Sequence, residues 1–349
     1  MILFVTDQVA GAEYIAPLLG KWKREGRRDW RVLASPASSA CLDRNELEHQ
    51  VLTDPTLELA AESVQRLSPD RAVVSTSVAS ALERSFVEVL TSRRIPCAQL
   101  VDNWVNYSRR FEFTRPDGST SMLLPHRILT LDESAKQAMV AEGLPAHAIE
   151  IIGQPNWEFQ WRSELERPVE ARPGTALLIT QPISQFFAKD LGYDELDFVR
   201  TFLESWRSFG FAWSMVDILV HPSESDAAYA PVFTALNATP RIVRGPDIRL
   251  GEYSLIAGMF SSMLIQGLLE RVPTISVQPA AVGADRCFLS EAGFVLRMLS
   301  GSDLTDFLAG GWAAGSESTS DGIRRLESVV DGSLERLEAF LARPWSVES

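Results

Sequence analysis

Short apolar runs of β-type residues alternate with helix-type segments along almost the whole chain, and that alternation leaves few folds open. ILFVT at 2–6 is apolar without interruption, as a strand buried on both faces of a sheet must be. The loop DQVAGAE follows, and then YIAPLLGKWKREG, which has helical spacing and stops at Gly26, a residue suited to a C-cap. DWRVLAS, RAVVSTS, PCAQLVDNW, HRILTLDE and AIEIIGQP read as further strands. LTDPTLELAAESVQRLSPD, SALERSFVEVLTSRRI and SAKQAMVAEGLP read as helices, the last capped by Ser134. Strands alternating with helices predict a parallel sheet covered on both faces.

The pattern breaks once. RSELERPVEARPG is charged, holds two prolines and has no period, so residues 161–174 read as a linker. A second series then runs through TALLITQP, a helix from Asp194 to Phe209, WSMVDILVHP, DAAYAPVFTALN, RIVRG, YSLIAGMF and TISVQP. DRCFLSEAG and SDLTDFLAGG look like helix starts, GWAAGSESTSDG like a Gly/Ser-rich loop, and the tail like one or two amphipathic helices. The expected fold is α/β: two Rossmann-like parallel-sheet domains facing across a cleft, residues 1–160 and 175–325. The helix at 326–349 would pack back on the first domain or form a partner surface.

A length of 349 residues suits two domains. The formal charge of −13 argues against a general attraction to nucleic acid or anionic lipid. Cys41, Cys97 and Cys287 are far apart and lack CxxC spacing, so neither a disulfide framework nor a zinc site is expected. No apolar run approaches the roughly 20 residues that span a bilayer. The apolar start meets Asp7 early and reads as a strand, not a leader. A cytoplasmic protein is expected.

Polar residues gather where the strands should end, which is where ligands bind in such sheets. Ser261 and Ser262 open an apolar helix. Helix starts offer unpaired N–H groups to a phosphate, although taken alone an ordinary N-cap is the commoner reason for serines at such a position. His221 ends a strand and precedes Pro222, whose ring restricts the backbone before it; such a histidine holds a phosphate oxygen or gives up a proton. Asp102 and Asn103 end another strand, with Arg109 and Arg110 close behind. That suggests a general base beside an anion clamp, or simply an Asp–Arg surface pair. The first loop contributes Asp7, Gly11 and Glu13, with Glu13 opening the helix, but it lacks GxGxxG. Gln181 ends the first strand of the second series. Trp104, Trp157 and Trp161 suit packing better than ligand stacking. GxSxG, Walker A, HExxH and zinc patterns are absent.

The segments AGAEYIAPLL, PHRILTLDESAKQAMVAEGLPAHAIEIIGQPNWE and SSMLIQGLLERVPTISVQP together resemble the two-Rossmann-domain (GT-B) glycosyltransferase superfamily, which includes UDP-N-acetylglucosamine 2-epimerase. The His-Pro pair at 221–222 and the Ser-Ser pair at 261–262 are similar to motifs of bacterial sialyltransferases and Kdo transferases, which use CMP-activated acidic sugars. TQP at 180–182 is similar to a motif of capsule-related Kdo transferases. The resemblance implies that Gln181, His221, Pro222, Ser261 and Ser262 lie on the donor side. It departs at Gln266, where the superfamily usually has a ribose-binding glutamate; an amide offers only one acceptor oxygen. Glu252 is a candidate to take over part of that role. The acid-acid-Gly motif carrying the sialyltransferase base is also missing, so Asp102 is only a positional stand-in.

These readings converge on a metal-independent glycosyltransferase that uses a CMP- or UDP-sugar and needs no further cofactor. Asp102 and His221 would act in catalysis. Asp7, Gly11, Glu13, Asn103 and Arg110 would face a glycan or small-molecule acceptor. Two alternatives stay open: a sugar-nucleotide 2-epimerase, and a GT-B-shaped scaffold that binds nucleotide without turnover.

Overall fold

The computed structural model describes residues 1–78, 80–114, 118–166, 169–187, 190–245, 248–310 and 317–345. The chain divides into two compact units: Met1–Phe159 with Val329–Ser349, and Gln160–Ser328.

The first unit is built on a seven-stranded sheet. Its strands are β1 (Ile2–Thr6), β2 (Trp30–Ala34), β3 (Gln50–Val51), β4 (Arg71–Ser75), β5 (Cys97–Leu100), β8 (Arg127–Thr130) and β9 (Ile149–Ile151); β6 (Glu112–Thr114) and β7 (Thr120–Met122) form a separate antiparallel hairpin. The order β3-β2-β1-β4-β5-β8-β9 is parallel throughout. It reverses direction between β1 and β4, the point at which open α/β sheets form their ligand crevice. Helices α1 (Val9–Arg24), α2 (Pro36–Arg44), α3 (Leu57–Leu67), α4 (Ala81–Ser92), α5 (Glu133–Ala141) and α6 (Pro155–Glu166) follow in chain order.

Side chains alternate across each strand, so β1 feeds two cores. Ile2 and Phe4 join Tyr14, Leu18 and Trp22 of α1. Leu3 and Val5 join Val64 of α3 and Phe86 of α4. The segment Ser333–Ala342 completes the first of these cores with Leu337, Phe340 and Leu341. Its entry is fixed by Glu158, which accepts from Ser333 Oγ at 2.9 Å and Leu334 N at 2.7 Å.

The second unit has six parallel strands in the order β12-β11-β10-β13-β14-β15. They are β10 (Arg172–Ile179), β11 (Val216–Leu219), β12 (Arg241–Val243), β13 (Tyr253–Gly258), β14 (Thr274–Val277) and β15 (Leu296–Met298). The direction of winding reverses between β10 and β13. The helices are α7 (Ile183–Phe186), α8 (Glu195–Ser208), α9 (Ala230–Leu236), α10 (Met263–Leu269), α11 (Phe288–Glu291), α12 (Gly301–Ala309) and α13 (Glu317–Val330), with Ser333–Ala342 as α14. Phe198, Phe202 and Trp206 of α8 pack on Leu178, Ile218 and Ala257 of the sheet.

Several local expectations change. Asp132, not Ser134, caps α5: its carboxylate accepts from Ala135 N, and Ser134 Oγ donates to the same oxygen. Helix α6 runs through Glu166 and β10 begins at Arg172, so ordered elements occupy much of 161–174. Buried Trp161 holds that helix despite its missing period. Of the Gly/Ser-rich stretch 311–322, residues 311–316 lie outside the described residues, while α13 already begins at Glu317. Trp104 and Trp157 stack at 5.5 Å between centroids. The three cysteines are buried and unpaired. Among the described residues no helix is long and apolar enough to cross a membrane.

Candidate functional site

In the second unit, polar residues collect where the sheet reverses. Gln181 follows β10 and its Oε1 accepts from Phe260 N, after β13, at 3.0 Å. One side chain thus ties together the two loops that flank the reversal. His221 follows β11, the neighbour of β10. It starts a tight turn in which Glu224 N donates to His221 O at 2.9 Å. Buried Glu224 closes the turn from inside, accepting from Thr180 Oγ1 at 2.7 Å, His221 N at 3.0 Å and Tyr229 OH at 2.7 Å. Arg244 clamps the outside, donating to Glu224 O at 2.6 Å.

This turn sets the histidine tautomer. Ser223 N donates to His221 Nδ1 at 3.2 Å. Since a backbone N–H can only donate, Nδ1 is the acceptor. The neutral ring then carries its proton on Nε2. Nε2 has no partner among the described residues, and the His221 side chain and Pro222 are exposed. The result is a fixed ring presenting one N–H outward.

Of the serine pair, only Ser261 makes a capping hydrogen bond. Ser262 occupies the cap position of α10 in a helical conformation and makes no side-chain cap bond. Ser261 Oγ instead accepts from Met263 N at 3.2 Å. Helix α10 spans only seven residues, so its dipole is small and the hydroxyls, not the helix, are the available donors. Gln266 is half-buried on the same helix. Glu252 is not part of this group. It precedes β13 while Ser261 and Ser262 follow it, which puts roughly 20 Å of strand between them. Its carboxylate lies 4.0 Å from Arg172, at the amino ends of the central strands β10 and β13.

A further cluster lies after β14 and was not anticipated from the sequence. Gln278 Nε2 donates to Asp285 Oδ1 at 2.9 Å, and Arg297 donates to Gln278 Oε1 at 3.0 Å. Burial opposes the Asp285 charge, but hydrogen bonds from Ser290, Gln278 and Cys287 N and the nearby Arg297 hold its pKa below the usual range.

In the first unit, Asp7 follows β1 at the reversal of the sheet. Its backbone N donates to Ser75 Oγ at 3.2 Å, while its carboxylate is half-exposed and has no partner among the described residues. Gly11 lies in the first turn of α1, and its missing Cβ makes room for Ser75 at the end of β4. Ser75 Oγ donates in turn to Glu83. Glu83 also accepts from Ser77 N at 2.6 Å and Ser77 Oγ at 2.9 Å. Burial pushes the Glu83 carboxyl up, and these hydrogen bonds offset only part of that. Nothing in the sequence marked Glu83, because its partners come from the preceding loop. Glu13 falls in the second turn of α1, not at its opening, and burial raises its pKa against the opposing effect of Arg44.

Asp102 and Arg110 form neither a surface pair nor an open anion clamp. Their side chains are 15% and 5% exposed and 2.8 Å apart. Arg110 also donates to Thr76 O at 2.8 Å, Asn103 Oδ1 at 2.6 Å and Val105 O at 3.3 Å. It braces the loop after β5, and Asn103 is consumed in that bracing. Asp102 Oδ1 touches Arg110 but receives no aligned hydrogen bond. Arg109 lies outside this cluster and is exposed.

Among the described residues, no three His, Cys, Asp or Glu side chains gather in a metal-ligand set.

No family model matches this sequence, and no curated protein matches it. The fold does have counterparts among solved structures. A Listeria monocytogenes protein assigned as a UDP-N-acetylglucosamine 2-epimerase is similar at TM-score 0.66 and 12% identity, over 98% of this chain and 95% of that one. The UDP-GlcNAc 2-epimerase of Neisseria meningitidis, solved with UDP-GlcNAc bound, is similar at 0.65 and 11%, over 98% and 100%. The calicheamicin glycosyltransferase CalG4 is similar at 0.58 and 11%, over 98% of each chain. The chain therefore has the two-Rossmann-domain GT-B fold that these enzymes share.

Proposed function

We propose that this protein is a glycosyltransferase that takes a sugar from a nucleotide-activated donor. One observation carries the reading: His221, Gln181 and Ser261 follow the adjacent strands β11, β10 and β13, with the Gln181–Phe260 hydrogen bond across the sheet reversal. Open α/β sheets bind their ligands at that point. The donor diphosphate or monophosphate would accept from His221 Nε2–H and from the Ser261 and Ser262 hydroxyls. As the glycosidic bond to the phosphate breaks, negative charge builds on the departing oxygen, and a fixed N–H aimed at it stabilises that charge.

On the acceptor side, Asp7 is the better base. Asp102 is already engaged by Arg110, whereas the Asp7 carboxylate, at the corresponding reversal in the first unit, has no partner among the described residues. Asp7 would accept the proton of an acceptor hydroxyl. Asp102 and Arg110 then hold the loop after β5 in shape.

The fold neighbours favour a second reading, a sugar-nucleotide 2-epimerase, because two of those described are assigned that activity. Incubation with UDP-GlcNAc and no acceptor separates the two. Change of configuration at C2 without loss of sugar supports the epimerase; transfer that requires an added acceptor supports the transferase. The general reading is tested by thermal shift against CMP, CDP, UMP, UDP, GDP and ADP, since a ligand that binds the folded state raises its stability. Absence of a shift with all six contradicts it.

A further inference from the structure

A cavity of about 350 Å³ opens in the first unit beside the β6–β7 hairpin. Arg84, Arg109, Glu112, Phe113, Thr114 and Thr120 line it. A narrower recess adjoins it through Arg84, Glu112 and Phe113 and reaches Ser77, Ser80 and buried Gln99. The volume falls within the roughly 300–1,000 Å³ of small-molecule sites and accommodates a monosaccharide.

The lining charges are unusual. The Arg84 guanidinium lies 5.7 Å from the Phe113 ring and makes no hydrogen bond or ion pair to any described residue. Arg109 has neither as well. Arg110, next in sequence, is fully engaged within the loop after β5. Glu83, next to Arg84, is buried and satisfied by Ser75 and Ser77. Among the described residues Glu112 is the one carboxylate lining this cavity, and buried Glu83 lines the adjoining recess. In a chain of net charge −13, two unpaired guanidiniums on one cavity concentrate positive potential there. Guanidinium groups match the planar or tetrahedral oxygens of a carboxylate or phosphate. The threonine hydroxyls and Gln99 supply neutral hydrogen-bonding partners for sugar hydroxyls.

We infer that this cavity recognises an anionic oxygen group on the acceptor, so that the acceptor is an acidic or phosphorylated sugar and not a neutral one. The inference deepens the glycosyltransferase reading and rests on it for the word acceptor. The binding site itself stands on Arg84, Arg109 and the cavity.

The test is isothermal titration of the full chain with glucuronate, glucose 6-phosphate and glucose, at low salt. At least one of the two anionic sugars is expected to bind and glucose is not. The anion that binds better identifies the group as carboxylate or phosphate. Arg84→Gln and Arg109→Gln are each expected to weaken that binding by on the order of tenfold, the loss of one charged hydrogen bond, and Arg109→Lys by less. Added salt weakens it as well. Failure of both anions to bind overturns the inference. Equal binding of glucose, or binding that both glutamine variants leave unchanged, overturns it too. Titration with CMP, CDP, UMP, UDP, GDP and ADP in parallel keeps the two proposals apart. Sugar-acid binding without nucleotide binding leaves the anion site standing and removes the transferase reading; the reverse result does the opposite.

Discussion

A Cβ placed on Gly11 would lie 2.4 Å from the Cβ of Ser75, so the first turn of α1 and the end of β4 meet with no space for a methyl group. This contact sets how closely α1 approaches the sheet reversal that carries Asp7. Gly11→Ala is therefore expected to destabilise the protein by about 1–3 kcal/mol, as overpacking does, even though alanine favours a helix by about 1 kcal/mol. A urea midpoint that stays put or rises would show that α1 has room to shift.

Glu83 makes stability depend on pH. Burial raises its folded pKa above the unfolded value of 4.5. The folded state therefore binds this proton more tightly, and the contribution of Glu83 declines as pH rises from the unfolded pKa through the folded one. Glu83→Gln has no such titration. The destabilisation it causes is thus expected to be largest at acid pH and smaller towards neutrality. Denaturation of parent and variant across that range checks the sign, and a gap that widens with pH contradicts it.

Helix α14 belongs to the core of the first unit. Phe340 is 3% exposed and packs in one cluster with Tyr14, Leu18 and Trp22, and Trp22 Nε1 donates to Glu338 at 2.8 Å. Phe340→Ala is expected to cost about 3–5 kcal/mol. A loss under 1 kcal/mol would mean that the helix is only loosely docked.

Asp7 and Arg110 separate chemistry from structure. Asp7→Asn removes an unpartnered carboxylate and is expected to lower transfer by about 10²–10⁴-fold, the usual contribution of a general base, with the melting temperature nearly unchanged. Arg110→Gln leaves Asp102 uncompensated in a mostly buried site and is expected to cost about 3 kcal/mol of stability. If Arg110→Gln leaves stability intact and Asp7→Asn leaves turnover intact, the two roles have been assigned the wrong way round.

The sheets were legible because parallel strands are buried on both faces and therefore read as unbroken apolar runs. Asp7, Gln181 and His221 follow those runs, at the positions where the chain leaves the sheet. Helix α2 was missed because only Ser38, Cys41 and Leu42 are buried along it, too few to show a period. Its signal was local: Ser35 accepts from Ser38 N, with Pro36 in the first turn. The β6–β7 hairpin is short and largely exposed, so neither alternation nor hydrophobicity marks it. Glu252 lies before the apolar run YSLIAG and the serines after it, and that run is a six-residue strand that keeps them apart. Glu83 and Glu224 were not recoverable. A buried carboxylate differs from a surface one only in its partners, and those partners are supplied by turns whose geometry the sequence does not display.

In the proposed function His221 presents a fixed N–H to the phosphate of a nucleotide-activated sugar. The most direct measurement is the affinity of CMP and UDP for the parent, His221→Ala and Ser223→Ala by titration calorimetry. The account predicts that one nucleotide binds the parent, that His221→Ala weakens it by on the order of tenfold or more, and that Ser223→Ala, which keeps the backbone N–H to Nδ1, has a smaller effect. Binding that His221→Ala leaves unchanged would contradict the account.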